Sequence, residues 1–335
     1  MNKEILKAVA LLNDGKVVAI PTETVYGLAG NAFNEQAIQQ IFEIKQRPLF
    51  NPLIVHIKSI DYLDHIAQHI PPIALELAHK FWPGALTLIL PKKDIIPSIV
   101  TAGKDTVGIR IPSHPLALEL LNLLDFPLAA PSANPFGYIS PTTSKHVKKQ
   151  LGNKISMILE GGSCEKGIES TIVGFENNKP VLYRVGAISK ETIEAFIGKI
   201  KVKKKASATP EAPGMLSKHY SPKTKLIVTD TISEYIKENK NQKTGFLLFT
   251  KPSELIPIKN YILVSKNKDI DEAAHNLYAA MHELDNRKFD LIIAEKFPEK
   301  GIGNSLNDRL YRAQETHFDF DYSTELLKIN KQQNK

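Results

Sequence analysis

The 335-residue chain has a single cysteine, Cys164, and a single tryptophan. One cysteine can neither close an internal disulfide nor build a thiolate zinc site, which points to a reducing compartment. Long hydrophobic runs are also missing, and no apolar stretch reaches the length needed to span a bilayer. The first helix candidate, residues 3–12, carries Glu4 and Lys7 inside its apolar stretch and runs into Asn13-Asp14-Gly15, unlike a secretory signal. A cytoplasmic protein without membrane contact is therefore expected. Familiar nucleotide and metal motifs are absent as well. Ala102-Gly103-Lys104-Asp105-Thr106 comes nearest to a phosphate-binding loop, but it lacks the first glycine at the right offset and the hydroxyl residue after lysine. Gly301-Ile302-Gly303-Asn304 lacks the third glycine of a dinucleotide fingerprint. Neither His-Glu-x-x-His nor a Cys/His cluster occurs, so no protein-held metal is expected.

What is present is an ordinary globular composition, 42% hydrophobic and 24% charged. At roughly 100–200 residues per domain, the length suggests two domains. The net charge of +7 is unevenly spread: residues 1–205 hold 24 Lys+Arg against 18 Asp+Glu, and the remainder holds 19 against 18. Five of those 24 form one short run, Lys199, Lys201, Lys203, Lys204 and Lys205. Such a run reads as a solvated edge or linker before it reads as an RNA contact. Weak RNA binding through it remains the competing expectation.

Over residues 1–200, apolar runs rich in β-branched residues alternate with helical periodicity, which predicts an α/β fold: a large twisted mixed sheet with flanking helices. Strands are expected at 17–21, 53–57, 85–90, 107–111, 128–130, 155–159, 171–175 and 181–185. Helices are expected at 35–46, 73–81, 115–124, 144–151 and 190–197. The pattern breaks at Ala206 to Gly214, a stretch containing Pro210 and Pro213. Beyond it, strands at 225–228, 246–249, 262–264 and 291–294 alternate with helices at 232–238, 270–285 and 306–314. That is a smaller, Rossmann-like open α/β sheet. The expected division is a first domain over 1–202, a linker and candidate active-site lid over 203–222, and a C-terminal domain over 223–335.

Arginine is scarce where lysine is plentiful. Only Arg47, Arg110 and Arg184 occur before position 206. A planar, permanently charged fork matches carboxylate and phosphate oxygens in a way that lysine does not. An ordinary salt bridge accounts for any one of them alone. Pro48 pushes Arg47 out of helical geometry, which frees its side chain at a helix end. Arg110 sits among apolar neighbours in one expected strand, and Arg184 follows Val181-Leu182-Tyr183 in another. Loops rich in hydroxyls and small residues, at 21–27, 130–135 and 169–171, follow or open strands, where open α/β sheets place ligands. Three arginines beside such loops suggest a polyanionic ligand.

At the level of motifs the chain resembles the YrdC-type threonylcarbamoyl-AMP synthases in their long, two-domain form. The resemblance rests on Pro21-Thr22-Glu23-Thr24-Val25-Tyr26-Gly27-Leu28, on Lys45-Gln46-Arg47-Pro48-Leu49-Phe50-Asn51-Pro52 continuing to His56, and on Thr106-Val107-Gly108-Ile109-Arg110. It extends to Ala130-Pro131-Ser132-Ala133-Asn134, Ser140-Pro141-Thr142-Thr143, Glu169-Ser170-Thr171-Ile172-Val173 and His219-Tyr220-Ser221-Pro222. It implies an enzyme, a nucleotidyltransferase that joins L-threonine, bicarbonate and ATP into threonylcarbamoyl-AMP, with pyrophosphate released. A separate threonylcarbamoyl transferase complex would then modify the adenosine beside the anticodon of tRNA. The resemblance further implies that Thr24, His56, Arg110, Ala130 and Ser170 line the threonine site. Arg47, Asn51, Thr106, Ser132, Ser140, Arg184, Tyr220 and the nearby Lys45 would hold ATP. Magnesium is expected with the nucleotide, no covalent nucleophile is required, and Arg47 and Arg110 would supply the electrostatics. A carbamoyl transferase of the hydrogenase-maturation type shares the fold, but those chains carry zinc-finger cysteines that are missing here.

Overall fold

The computed structural model describes residues 2–203, 219–238, 243–252 and 256–314. Ten strands form the first sheet: β1 (Val18–Ile20), β2 (Gly27–Asn31), β3 (Ile54–His56), β4 (Leu86–Pro91), β5 (Thr106–Arg110), β6 (Leu128–Ala129), β7 (Met157–Ile158), β8 (Thr171–Glu176), β9 (Lys179–Arg184) and β10 (Lys201–Val202). Their spatial order is β10-β9-β8-β4-β5-β3-β6-β2-β1-β7, with parallel and antiparallel neighbours mixed. Eight helices accompany them: α1 (Lys3–Asn13), α2 (Glu35–Lys45), α3 (Leu63–Ile66), α4 (Pro72–Phe81), α5 (Ser98–Thr101), α6 (Pro115–Asn122), α7 (Ser144–Leu151) and α8 (Lys190–Ile197). The second sheet is all parallel, in the order β11 (Lys225–Thr229), β14 (Leu291–Glu295), β12 (Thr244–Leu248) and β13 (Tyr261–Leu263). It is joined by α9 (Ile232–Glu238), α10 (Ile270–Asn286) and α11 (Ile302–Gln314). This is the expected fold class. Residues 204–218, which include Lys204, Lys205 and most of the candidate lid, lie outside the described residues, as does 315–335.

Local chemistry explains the elements that carry the site. Asn34 caps α2 by accepting from the Gln36 and Ala37 amides. The helix ends where Gln46 turns into the left-handed region at φ 52°; its amide bonds Glu43 O, and the Arg47 amide bonds Phe42 O. These paired 5→2 and 6→1 bonds form a Schellman-type stop in a residue other than glycine. They aim Arg47 back over the sheet.

Two strands escaped the sequence reading. β2, Gly-Leu-Ala-Gly-Asn, has the composition of a loop, yet it pairs with both β1 and β6. Packing decides it: at Gly30 an added Cβ would lie 3.3–3.5 Å from Ile41, Val17 and Ala37, so the missing side chain lets α2 lie close on the sheet. β10 extends the sheet past β9, and Lys201 and Lys203 lie 3.5 and 2.7 Å from Glu176. In the described part of the basic run, lysines thus border an edge strand and pair with an acid of the same sheet.

The main core lies between the first sheet and helices that include α2 and α4. A second core crosses between the two sheets. Val25, Ile139 and Ile168 of the first unit pack with Tyr220, Leu277 and Tyr278 of the rest. The C-terminal unit is thereby seated on the loops that carry the candidate motifs.

Candidate active site

Parallel pairing of β3 and β5 sets His56 beside Arg110, so both project from one face of the sheet. β6 lies on the other side of β3, and the chain leaving it carries Ala130 and Ser132, the latter bridged to Gly27. Beyond β4, the end of β9 supplies Arg184. These side chains close on one narrow cavity lined by Thr24, Arg47, His56, Arg110, Ala130, Ser132, Ser170, Arg184 and Tyr220, among others. Arg47, Arg110 and Arg184 are 7%, 4% and 6% exposed, so three buried guanidinium groups from distant parts of the chain converge there.

Each arginine is held differently. Arg47 donates from Nε to Asn51 O at 3.1 Å and from Nη2 to Asn51 Oδ1 and Pro52 O at 2.7 and 2.8 Å, locking the Pro48–Pro52 turn. Burial pulls its guanidinium down to about 9, opposed by Tyr220 and reinforced by Arg184, which leaves it charged at neutral pH. Arg110 donates to Thr24 Oγ1 at 2.9 Å and forms a 2.6 Å ion pair with Glu23. Arg184 grips Ser170, donating to its carbonyl at 3.1 and 2.8 Å and to its hydroxyl at 3.1 Å. The Ser170 hydroxyl also lies 2.7 Å from that of Thr87.

All five residues expected for threonine meet at this cavity, while the nucleotide set divides. Lys45 stands behind the wall, 1% exposed, its ammonium donating at 2.5 Å to the carbonyls of Ser132 and Asn134. Burial first and Arg47 second push its pKa well down. Lys45 therefore shapes the 131–135 loop from behind. Asn51 is engaged by Arg47, and Ser140 donates to Glu169 at 2.7 Å. Thr106 lines a neighbouring cavity with Lys104 and Tyr183. Thr106 and Arg110 are four residues apart on β5, so they share a face about 13 Å apart.

Three further residues belong to the site and had been quoted only as parts of motifs. Glu23, 3% exposed, is the counter-ion of Arg110. Glu169 lines the cavity. His219 lines it too, packed against Tyr220 and Phe136 with ring centroids 4.1 and 5.9 Å away. Tyr220 sits in the left-handed region at φ 64°, and the next amide, that of Ser221, bonds Gly137 O. The described end of the linker is thus tied onto the site.

Several buried polar atoms around the cavity, among them Asn51 Nδ2, His56 Nδ1 and His219 Nδ1, have no hydrogen-bond partner among the described residues. A polar ligand would satisfy them. A metal fits less directly. Glu169 is occupied by protein donors, and among the described residues no group of three or more His, Cys, Asp or Glu could hold an ion. No described helix is long and apolar enough to cross a membrane.

The buried histidines make stability depend on pH. Burial and Arg110 hold His56 down to about 3. Burial with Lys149 holds His146 at about 4, and burial with His146 holds His282 at about 3. Unfolded, each takes up its proton near pH 6.5. Below that value the unfolded chain binds protons that the native state refuses, so stability is full above about pH 6.5 and declines as pH falls. The melting temperature is expected to be lower at pH 5 than at pH 7.5, and an equal or higher value would contradict this account.

Fold and cavity together define a two-sheet α/β protein with a cavity lined by three buried arginines. Residues 10–186 match the Sua5/YciO/YrdC family model, described as Telomere recombination, and residues 188–314 match that of the Threonylcarbamoyl-AMP synthase C-terminal domain. The chain belongs to the two-domain threonylcarbamoyl-AMP synthase family. It is 42% identical over 320 residues to the threonylcarbamoyl-AMP synthase of Bacillus subtilis, covering 92% of each chain. It is 40% identical over 318 residues to that of Pyrococcus abyssi, covering 91% of this chain and 92% of that one. The crystal structure of P. abyssi Sua5 complexed with L-threonine matches with a TM-score of 0.86 and 40% identity, over 92% of this chain and 94% of that chain.

Proposed function

We propose that the chain is an L-threonylcarbamoyladenylate synthase, a nucleotidyltransferase that converts L-threonine, bicarbonate and ATP into threonylcarbamoyl-AMP, pyrophosphate and water. The observation that carries this reading is the convergence of Arg47, Arg110 and Arg184 on one buried cavity with the hydroxyls of Thr24 and Ser170. The threonine amine and bicarbonate condense to a carbamate with loss of water. A carbamate oxygen then attacks the α-phosphorus of ATP, and the bond to the bridging oxygen breaks as pyrophosphate leaves with its electrons.

Arg110 with Thr24 clamps the threonine carboxylate, and His56 and Ser170 read its hydroxyl. His56 is held neutral by burial and by Arg110, which suits it to a hydrogen bond rather than an ion pair. Arg47 and Arg184 offset the charge that accumulates on the departing phosphates, with Ser132, Ser140, Asn51 and Tyr220 completing the nucleotide contacts and Lys45 supporting them. Thr106 extends the nucleotide site along β5. Positioning and fixed charge suffice for such a displacement. Magnesium, if carried in with the nucleotide, would offset part of the phosphate charge that Arg47 and Arg184 otherwise meet. The product passes to a cytoplasmic transferase complex that modifies the adenosine beside the anticodon of tRNA.

Pyrophosphate release from ATP tests the reading. Release is expected only when L-threonine and bicarbonate are both supplied, and release indifferent to either addition would refute it.

A further inference from the structure

Among the described residues that line the cavity, Glu169 is the one carboxylate. Its oxygens are taken up on both sides. Oε1 accepts from Ser140 Oγ at 2.7 Å and Tyr278 OH at 3.1 Å, and Oε2 accepts from Tyr278 OH at 2.9 Å and Arg309 Nε at 3.1 Å. Tyr278 lies on α10 and Arg309 on α11, so two of its three partners belong to the C-terminal unit. Arg309 is fully buried, and it also donates to Val185 O at 2.7 Å and lies 5.6 Å over the Tyr220 ring. One turn earlier on α11, Ser305 donates to Gly186 O at 2.8 Å.

The gripped segment is in backbone contact with the site. A Cβ at Gly186 would lie 2.4 Å from Ser170 C and Thr171 N, so only glycine permits this approach. Residues 185–186 cannot shift without displacing Ser170. Arg184, the next residue back, bonds the Ser170 carbonyl and hydroxyl.

We propose that the C-terminal unit is a working part of the site: Arg309 and Tyr278 are positioning residues that clamp Glu169, and through it set Ser140 on the nucleotide side and Ser170 on the threonine side. An ordinary interface ion pair would leave the cavity untouched. Here the clamped carboxylate is itself a cavity wall, adjacent in sequence to Ser170. The clamp explains why a catalytic sheet carries a second sheet whose own side chains line no part of the cavity. It rests on the synthase reading.

The test uses the full chain. Steady-state pyrophosphate release is measured for wild type, Tyr278→Phe, Arg309→Gln, Arg309→Lys and Glu169→Gln/Arg309→Gln, with a melting curve for each. Tyr278→Phe removes one hydroxyl and keeps every charge. It is expected to stay folded while kcat/KM falls about tenfold, the loss expected for one charge-assisted hydrogen bond. The KM values for L-threonine and ATP are expected to rise, and the KM for bicarbonate to hold. Arg309→Gln is expected to lose more, Arg309→Lys to recover part of that loss, and the double variant to be no worse than Arg309→Gln, because both changes break one link. A merely structural role would lower the folded fraction and the apparent kcat with all KM values unchanged, and that result would overturn the clamp. Wild-type turnover with unaltered KM values in Tyr278→Phe and Arg309→Gln would overturn it alone. Wild-type release indifferent to threonine would overturn the synthase reading and the clamp with it.

Discussion

Arg110→Ala is expected to lower kcat/KM for L-threonine roughly 10²–10³-fold, since truncating one partner of a buried charge pair costs about 2–5 kcal/mol. Two effects combine in that substitution. The carboxylate of threonine loses its fork, and Glu23, 3% exposed, loses the guanidinium that lies 2.6 Å from it. A buried carboxylate stripped of its partner costs the fold about 3–5 kcal/mol, so a lowered melting temperature is expected with the lost activity. Arg110→Lys separates the two. It restores a cation near Glu23 but not a planar pair of donors, so the melting temperature should largely return while KM for threonine stays high. Normal turnover in either variant would remove Arg110 from the site.

Arg47→Ala is expected to show the largest loss on the nucleotide side, roughly 10²–10³-fold in kcat, the size seen when one fixed donor aimed at developing charge is removed. The geometry adds a second cost. Three hydrogen bonds from Arg47 hold the Asn51 and Pro52 carbonyls and the Asn51 amide oxygen, all in the turn that leads into β3. Lysine cannot make three such bonds from a fork, so Arg47→Lys should fail to rescue. The measurement is pyrophosphate release at saturating ATP and threonine. Retained kcat in Arg47→Ala would show that the guanidinium serves the turn alone.

The arginines illustrate how far local pattern reaches. Their rarity against abundant lysine marked them, and Pro48 predicted that Arg47 leaves the helix end. Its actual aim is set by Gln46 adopting a left-handed conformation, which no residue preference demands. Lys45 belongs to the same motif and was expected to face ATP, yet it turns the other way to bond two carbonyls of the 131–135 loop. Adjacent motif residues can serve opposite sides of one wall. Thr106 shows the converse case: it lies on the same strand face as Arg110, but four residues of strand carry it into the next cavity. β2 was hidden because glycine and alanine have little strand preference. Pairing on both edges and the close approach of α2 override that.

By itself the sequence determined the alternation of strands and helices, the two-sheet α/β class and the motif set that marks the family. Those features are written in periodicity and in short runs, which depend on near neighbours. Only the tertiary structure decided which charges meet: Arg110 with Glu23 rather than solvent, and Glu169 with an arginine 140 residues further along the chain. A buried ion pair is a matter of geometry between distant elements, and neither partner's local sequence encodes the other. For that reason the C-terminal unit reads as a separate small sheet in the sequence and as a wall support of the active site in the fold.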